Sequence, residues 1–219
     1  MADEGGLLAI GGDLSPERLL LAYSEGIFPW YSSGEPIQWW SPDPRMVLYP
    51  SQLYISKSMK KVMRSNIFRI SFDVDFRAVI QNCQKISRHG QYGTWITPHM
   101  IHAYLHLHEL GFAHSVEVYN SRSNALVGGL YGVSLGACFF GESMFSHESN
   151  ASKAGFIYLV EYLKTLHFSL IDCQIYTEHL ASLGSTLIDR ALFLQKLKEG
   201  LIAPTQRGKW FCPENLSFL

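Results

Sequence analysis

A chain of 219 residues that is 47% hydrophobic and 17% charged has material for one large core or two smaller ones, and its net charge of −1 leaves any nucleic-acid contact to a local patch. No run of about 18 uninterrupted apolar residues occurs, so no membrane span is expected. Cys83, Cys138, Cys173 and Cys212 lack CxxC spacing, and MADEGGLLAIGG has no basic n-region, so the expectation is a reduced cytoplasmic protein without a signal peptide. Residues 13 to 25 carry Leu19, Leu20 and Tyr23 at helical spacing, with Ser15 as cap, Pro16 in the first turn and Gly26 as stop. GIFPWYSSGEPIQWWSPDPR, residues 26 to 45, holds four prolines and three tryptophans. The prolines exclude a long helix or a central strand, and the tryptophans have much apolar area to hide. An ordered aromatic loop is expected, closing a small N-terminal domain (residues 1–45) ahead of a main domain (residues 46–219).

Further along, MVLYP reads as a strand, SKSMKKVMRS as a short basic helix, IFRISFD as a strand and DFRAVIQNCQKI as an amphipathic helix. TPHMIHAYLHLHEL is a helix with Thr97 as cap, Pro98 in its first turn and Gly111 as stop. HSVEVYN and ALVGGLYGVSLGACFFGESMF give two or three consecutive strands, the first two joined by the turn-like SRSN. NASKAGFIYLVEYLKTLHF is a helix capped by Asn150, LIDCQIY a strand, and DRALFLQKLKEG the closing helix after TEHLASLGS. This order gives an α+β fold with a mixed sheet.

Ile171, Cys173 and Ile175 alternate with Asp172, Gln174 and Tyr176, so one face of that strand is core and the other looks at water or into a site. Phe139 and Phe140 stand beside Glu142, Ser143 and Met144, just ahead of a helix start with free N–H groups. A carboxylate against an aromatic wall suits a cationic group next to an apolar one; a solvated glutamate at a strand end is the plainer alternative. Trp30 and Trp95 sit in loops, to stack a base or to plug a seam. Lys57, Lys61 and Arg64 share one helix side and can follow a phosphate backbone, with a solvated face as the default. Other chemistries fit less well. His102, His106 and Glu109 share a helix face but lack the HExxH arrangement, so no metal is expected. Cys173 with His179 would make a nucleophile pair, but Cys173 is on the apolar face. GESMF lacks the closing glycine of a nucleophile elbow, and no G-x-G-x-x-G or P-loop is present.

The stretches GGDLSPERLLLAYSEGIFPWYSSGEPIQWWSPDPR, GTWIT, LVGGLYGVSLGACFFGESMFSHESNASKAG and LIDCQIYTEHLASLG together resemble the leucyl/phenylalanyl-tRNA–protein transferases, from residue 5 to about 190. The resemblance implies transfer of Leu or Phe, and Met less well, from aminoacyl-tRNA to the α-amino group of a protein beginning with Arg or Lys. That mark commits the protein to N-degron (N-end rule) proteolysis. It implies a monomer with no cofactor, and a small N-terminal domain on a larger domain similar to GCN5-type acetyltransferases. Position by position, it implies that Trp30, Trp95, Leu130, Phe139, Glu142 and Met144 meet the substrates and that Asp172 and Gln174 form the reaction centre. Lys57 and Lys61 match basic positions linked to the tRNA acceptor stem. The short N-terminus and the tail TQRGKWFCPENLSFL depart from the family pattern and bear on how the tRNA body is held.

The implied reaction is aminolysis of an ester. An α-amine has an ordinary pKa of about 7.7–8.0, so placement matters more than a strong base. Gln174, a neutral amide, would fix the amine, and Asp172 would hold Gln174 as the other half of one polar unit. The side-chain pocket would exclude the β-branched Val and Ile by shape. Two other classes compete. An acetyl-CoA-dependent N-acetyltransferase would want R/Q-x-x-G-x-G/A at the helix start, where SHESNASKAG stands. A non-catalytic RNA-binding module would have no use for polar pairs beside an apolar pocket.

Overall fold

A computed structural model describes residues 5–86 and 94–211; the MADE start, Gly93 of GTWIT, Cys212 and the end of the tail lie outside them. In the N-terminal domain, strand β1 (Leu7–Ile10) is followed by helix α1 (Pro16–Ser24) and by strands β2 (Phe28–Pro29) and β3 (Gln38–Trp40). The expected aromatic loop thus has paired ends, in a three-stranded antiparallel sheet ordered β1–β3–β2. Its tryptophans supply the fixings. Trp39 Nε1 donates to the Gly11 carbonyl at 2.9 Å, Trp40 Nε1 donates to the Trp30 carbonyl at 2.7 Å, and the Trp30 and Trp40 rings meet edge-on at 5.7 Å. Pro16 opens α1 as expected, but Ser15 makes no side-chain bond to that helix; its hydroxyl donates to Asp13 instead.

The larger domain runs β4 (Arg45–Leu48), α2 (Lys57–Arg64), β5 (Phe68–Phe72), α3 (Phe76–Lys85) and α4 (Pro98–Glu109). It continues through β6 (Ala113–Asn120), β7 (Leu126–Leu135), β8 (Cys138–Ser146) and α5 (Ala151–Thr165). It closes with β9 (Leu170–Gln174), α6 (Glu178–Ala181), β10 (Thr186–Ile188) and α7 (Arg190–Gly200). The seven strands β4–β10 form one mixed sheet in the order β10–β4–β9–β8–β7–β6–β5, antiparallel throughout except between β8 and β9. Ser56, Asp75, Thr97 and Thr177 cap α2, α3, α4 and α6 through their side chains. Asn150 does not cap α5. It turns the chain in a left-handed conformation (φ 69°), and the Ser146 hydroxyl and Glu148 carbonyl accept from the first N–H groups of the helix instead.

Side-chain alternation divides the core between the two sheet faces. Val47, Phe140 and Leu170 join α1, α3, α4 and α7 on one side, while Met46, Leu48, Phe139 and Ile171 join α2 and α5 on the other. Both faces being covered explains why β7 and β8 read as almost continuous apolar runs. Tyr23 and Leu19 of α1 are buried in the larger domain's core, so the N-terminal domain is seated on it.

Two register slips break the sheet near its centre. Tyr131 pairs with Ser143 and Gly132 with Gly141, which leaves Glu142 as the extra residue of a β-bulge. Met46 pairs with Gln174 and Val47 with Asp172, which leaves Cys173 extra in the same way. Gly132 makes the first slip sterically feasible, because a Cβ there would meet the Phe140 carbonyl and the Phe139 ring. Gly132→Ala is therefore expected to cost roughly 1–3 kcal/mol by overpacking, read as a lowered urea midpoint. An unchanged midpoint would mean that the strand pair has room to spare.

Candidate active site

β8 and β9 pair only over Cys138–Phe140 and Leu170–Asp172, and beyond that they part. The gap opens a cavity of about 520 Å³. Phe139, Met144 and Leu130 come to it from the β7–β8 pair, Phe156 and Leu159 from α5. The N-terminal domain closes one side with Phe28, Pro29 and Trp30, and Trp95 approaches from the segment before α4. The six residues expected to meet substrate, Trp30, Trp95, Leu130, Phe139, Glu142 and Met144, thus all line one space, together with Gln174.

The bulge turns Glu142 into a buried polar cluster. Its Oε1 accepts from the Tyr23 hydroxyl at 2.7 Å and from Gln174 Nε2 at 2.8 Å, while Oε2 accepts from the Tyr104 hydroxyl at 2.7 Å. Four elements, α1, α4, β8 and β9, therefore converge on one carboxylate. Burial pushes the Glu142 carboxyl up to about 7, against the lowering effect of its three donors; the nearby Asp172 charge adds to the rise. The two tyrosine hydroxyls also touch each other, so two hydrogens serve three oxygen contacts when Glu142 is ionised. Protonating Glu142 brings a third hydrogen, an effect in the same direction as burial. Burial and the Glu142 charge hold both tyrosines well above their ordinary range, so both remain neutral donors.

Gln174 sits at the end of β9 in a left-handed conformation (φ 63°) that glutamine rarely adopts, at a cost on the order of 1–3 kcal/mol. The alternation of the strand stops there, and Ile175 and Tyr176 are exposed. With Nε2 committed to Glu142, Gln174 has its carbonyl oxygen to offer to a donor in the cavity.

Asp172 was expected to hold Gln174 as the other half of one polar unit at the reaction centre. It is 1% exposed and does not line the cavity. Its carboxylate accepts Arg45 Nε at 2.8 Å and Nη2 at 2.7 Å, a fork-to-fork pair, and the Arg45 guanidinium lies 4.8 and 4.5 Å from the Phe28 and Phe193 ring centroids. The link to Gln174 runs through the backbone: the Gln174 N–H donates to Asp172 Oδ1 at 2.9 Å. The bulge at Cys173 is what sends two side chains of the same strand face to different places.

Lys57 and Lys61 are exposed on α2 and do not line the cavity. His102, His106 and Glu109 are exposed, and among the described residues no group of three His, Cys, Asp or Glu is arranged to hold a metal ion. Burial pushes the Cys173 thiol up to about 12, so it stays protonated and inert. Tyr23, Tyr104 and Arg45 were absent from the expected site. Tyr23 and Tyr104 look like core positions of helical stripes, and their common partner lies far along the chain. The one local hint was Arg45, a charge at the mouth of the apolar strand MVLYP, where burial demands a partner.

Comparison with known proteins gives a consistent result. The family model described as leucyl/phenylalanyl-tRNA protein transferase matches residues 47–198, and that family's N-terminal domain model matches residues 12–43. The leucyl/phenylalanyl-tRNA–protein transferase of Syntrophus aciditrophicus is 59% identical over 210 residues, 96% of this chain and 87% of the relative. That of Flavobacterium johnsoniae is 58% identical over 197 residues, 90% of this chain and 92% of the relative. The solved structure of L-PGS from Bacillus licheniformis superposes on 89% of this chain and 64% of its own with a TM-score of 0.41 and 12% identity, too loosely to bear on function.

Proposed function

This chain belongs to the leucyl/phenylalanyl-tRNA–protein transferase family, and from that premise we propose that it moves Leu or Phe, and Met less well, from aminoacyl-tRNA to the α-amino group of proteins that begin with Arg or Lys. It is an aminoacyltransferase. The product would enter N-degron proteolysis, and a tRNA substrate makes the cytoplasm its place of work. The observation that carries the reading is the Glu142–Gln174 pair at the edge of an apolar cavity.

The aminoacyl side chain lies in the apolar part of the cavity, against Phe139, Met144 and Leu130. The α-ammonium of the protein substrate approaches Glu142. A carboxylate has about four acceptor positions, three of which are taken by Tyr23, Tyr104 and Gln174, so one remains for it. Once it has lost a proton to solvent, the amine donates an N–H to the Gln174 carbonyl and turns its lone pair to the ester carbon. The C–N bond forms, the bond from the acyl carbon to the ribose oxygen breaks, and the ribose hydroxyl ends with a proton. Holding the two reactants in this geometry supplies ~7–11 kcal/mol of the barrier, which is why an amide and a positioning carboxylate suffice. Incubation with an Arg-initiated peptide and either labelled leucyl-tRNA or labelled acetyl-CoA tests the assignment. Label is expected on the peptide from the tRNA; label only from acetyl-CoA would make the chain an N-acetyltransferase.

Lys57 and Lys61 stand four apart on the outer side of α2, whose Met59 and Met63 are buried against the larger domain. Contacts to acceptor-stem phosphates would carry no sequence information. Lys57→Ala with Lys61→Ala is expected to weaken every charged tRNA by a similar factor and to reduce the slope of log K against log salt by about 1 per lost contact. An aminoacyl-adenosine that ends before the stem should react as well with the double variant as with the parent. Equal damage to that small substrate would remove the lysines from tRNA binding.

A further inference from the structure

We infer that Trp210, in the tail beyond the last helix, is a positioning residue that backs Phe139 in the cavity wall and so sets which aminoacyl side chains fit. The inference rests on reading that cavity as the aminoacyl pocket. Phe156 and Leu159 wall the cavity along α5, and Tyr162 follows them at the same helical spacing. The Tyr162 ring meets the Trp210 indole edge-on at 5.4 Å. Phe139, which lines the cavity, lies 6.0 Å from the same indole, tilted by 36°. The indole therefore packs behind Phe139 and Tyr162 without itself lining the cavity. The Phe139 ring also rests over Gly132, where no side chain can be added without a clash. Phe139 is thus packed against both the β7 backbone and the indole, and removing the indole gives its ring room to move away from the reaction centre.

The tail reaches this place through specific bonds. The Gly136 N–H donates to Thr205 Oγ1 at 2.9 Å, Arg207 donates to the Leu110 carbonyl at 3.1 Å, and the Gly208 N–H donates to the Gly111 carbonyl at 3.2 Å. Gly111 has φ +78°, and a Cβ on it would strike the Gly208 backbone, so the close crossing depends on that glycine. The Trp210 N–H donates to Asp73 Oδ2 at 2.7 Å, and the same oxygen meets His114 Nδ1 at 2.8 Å. The His114 ring lies parallel to the indole at 3.6 Å. Trp210 is 4% exposed, and its Nε1 has no hydrogen-bond partner among the described residues. The indole is thus held by shape and by its backbone, so a phenylalanine in its place forfeits no side-chain hydrogen bond.

The test compares kcat/KM for leucyl-tRNA and phenylalanyl-tRNA, with one Arg-initiated peptide, in the parent, W210A, W210L and W210F. Deepening the pocket favours the larger side chain. The Phe-over-Leu ratio is expected to rise about tenfold or more in W210A, by less in W210L, and to stay near the parent value in W210F. General loosening of the domain would lower both constants together and leave their ratio alone. If W210A does not fold, W210L and W210F decide the matter between them. Ratios within twofold of the parent in every folded variant would overturn the inference. Failure of the parent itself to use either tRNA would instead overturn the reading of the cavity on which the inference stands.

Discussion

Asp172→Ala is expected to destabilise the protein by about 3–5 kcal/mol and, in whatever fraction remains folded, to slow transfer by about a hundredfold or more. The first effect follows from Arg45, whose guanidinium is almost completely buried and would lose both hydrogen bonds to the Asp172 carboxylate. The second follows from the Gln174 N–H, which loses the acceptor that helps hold the left-handed backbone at that residue. The two effects separate in the double variant Arg45→Met with Asp172→Leu. Removing both charges of a buried pair is often neutral or stabilising, so the unfolding midpoint should return close to the parent's. Transfer should not return with it, because no acceptor faces Gln174. Recovery of both stability and rate would reduce Asp172 to a counter-ion for Arg45.

Glu142→Gln is expected to change the shape of the pH–rate profile as well as its height. The burial-raised carboxyl titrates at about 7, and the free α-amine of the substrate near 8. Both must lose a proton for the proposed complex to react, so log kcat/KM should climb with a slope near 2 below pH ~6.5 and flatten above both values. In Glu142→Gln only the amine titrates, and the slope should fall to about 1, with the plateau lower by about a hundredfold. A profile of unchanged shape would remove Glu142 from binding the amine. The same shift acts on stability. The folded value lies above the ordinary 4.5, so the stabilising contribution is fully present below that pH and is lost as pH rises through about 7. Glu142→Gln should remove that pH-dependent part, which urea midpoints at pH 5 and pH 8 would read.

The helices α2, α3 and α4 were legible because their apolar spacing, caps and stops agree with one another, as with Thr97, Pro98 and Gly111. The central strands were legible as apolar runs bounded by turn residues. The strands β1, β2, β3 and β10 were not, since two to four residues carry no usable period. Blocks such as GESMFSHESN and LIDCQ pointed to the candidate site along the chain, and Glu142 and Gln174 do meet. Alternation alone put Asp172 and Gln174 on one face; the register slip at Cys173 shows only against β4, and of the two only Gln174 lines the cavity. The bulge at Glu142 depends in the same way on a missing Cβ across the strand pair. Tyr23 and Tyr104, 81 positions apart, became partners only through the seating of the N-terminal domain, and no local pattern encodes that. The tail carried almost no pattern, yet Trp210 ends in the core of the larger domain.

The most direct measurement is the single-turnover rate at which Gln174→Ala moves leucine from leucyl-tRNA to an Arg-initiated peptide, at saturating concentrations of both. If the Gln174 amide, braced by Glu142, fixes the attacking amine, the rate falls by about a hundredfold or more while the affinity for leucyl-tRNA stays within about twofold of the parent's. A single-turnover rate within about threefold of the parent, in a folded variant, would contradict a reaction centre built on Gln174.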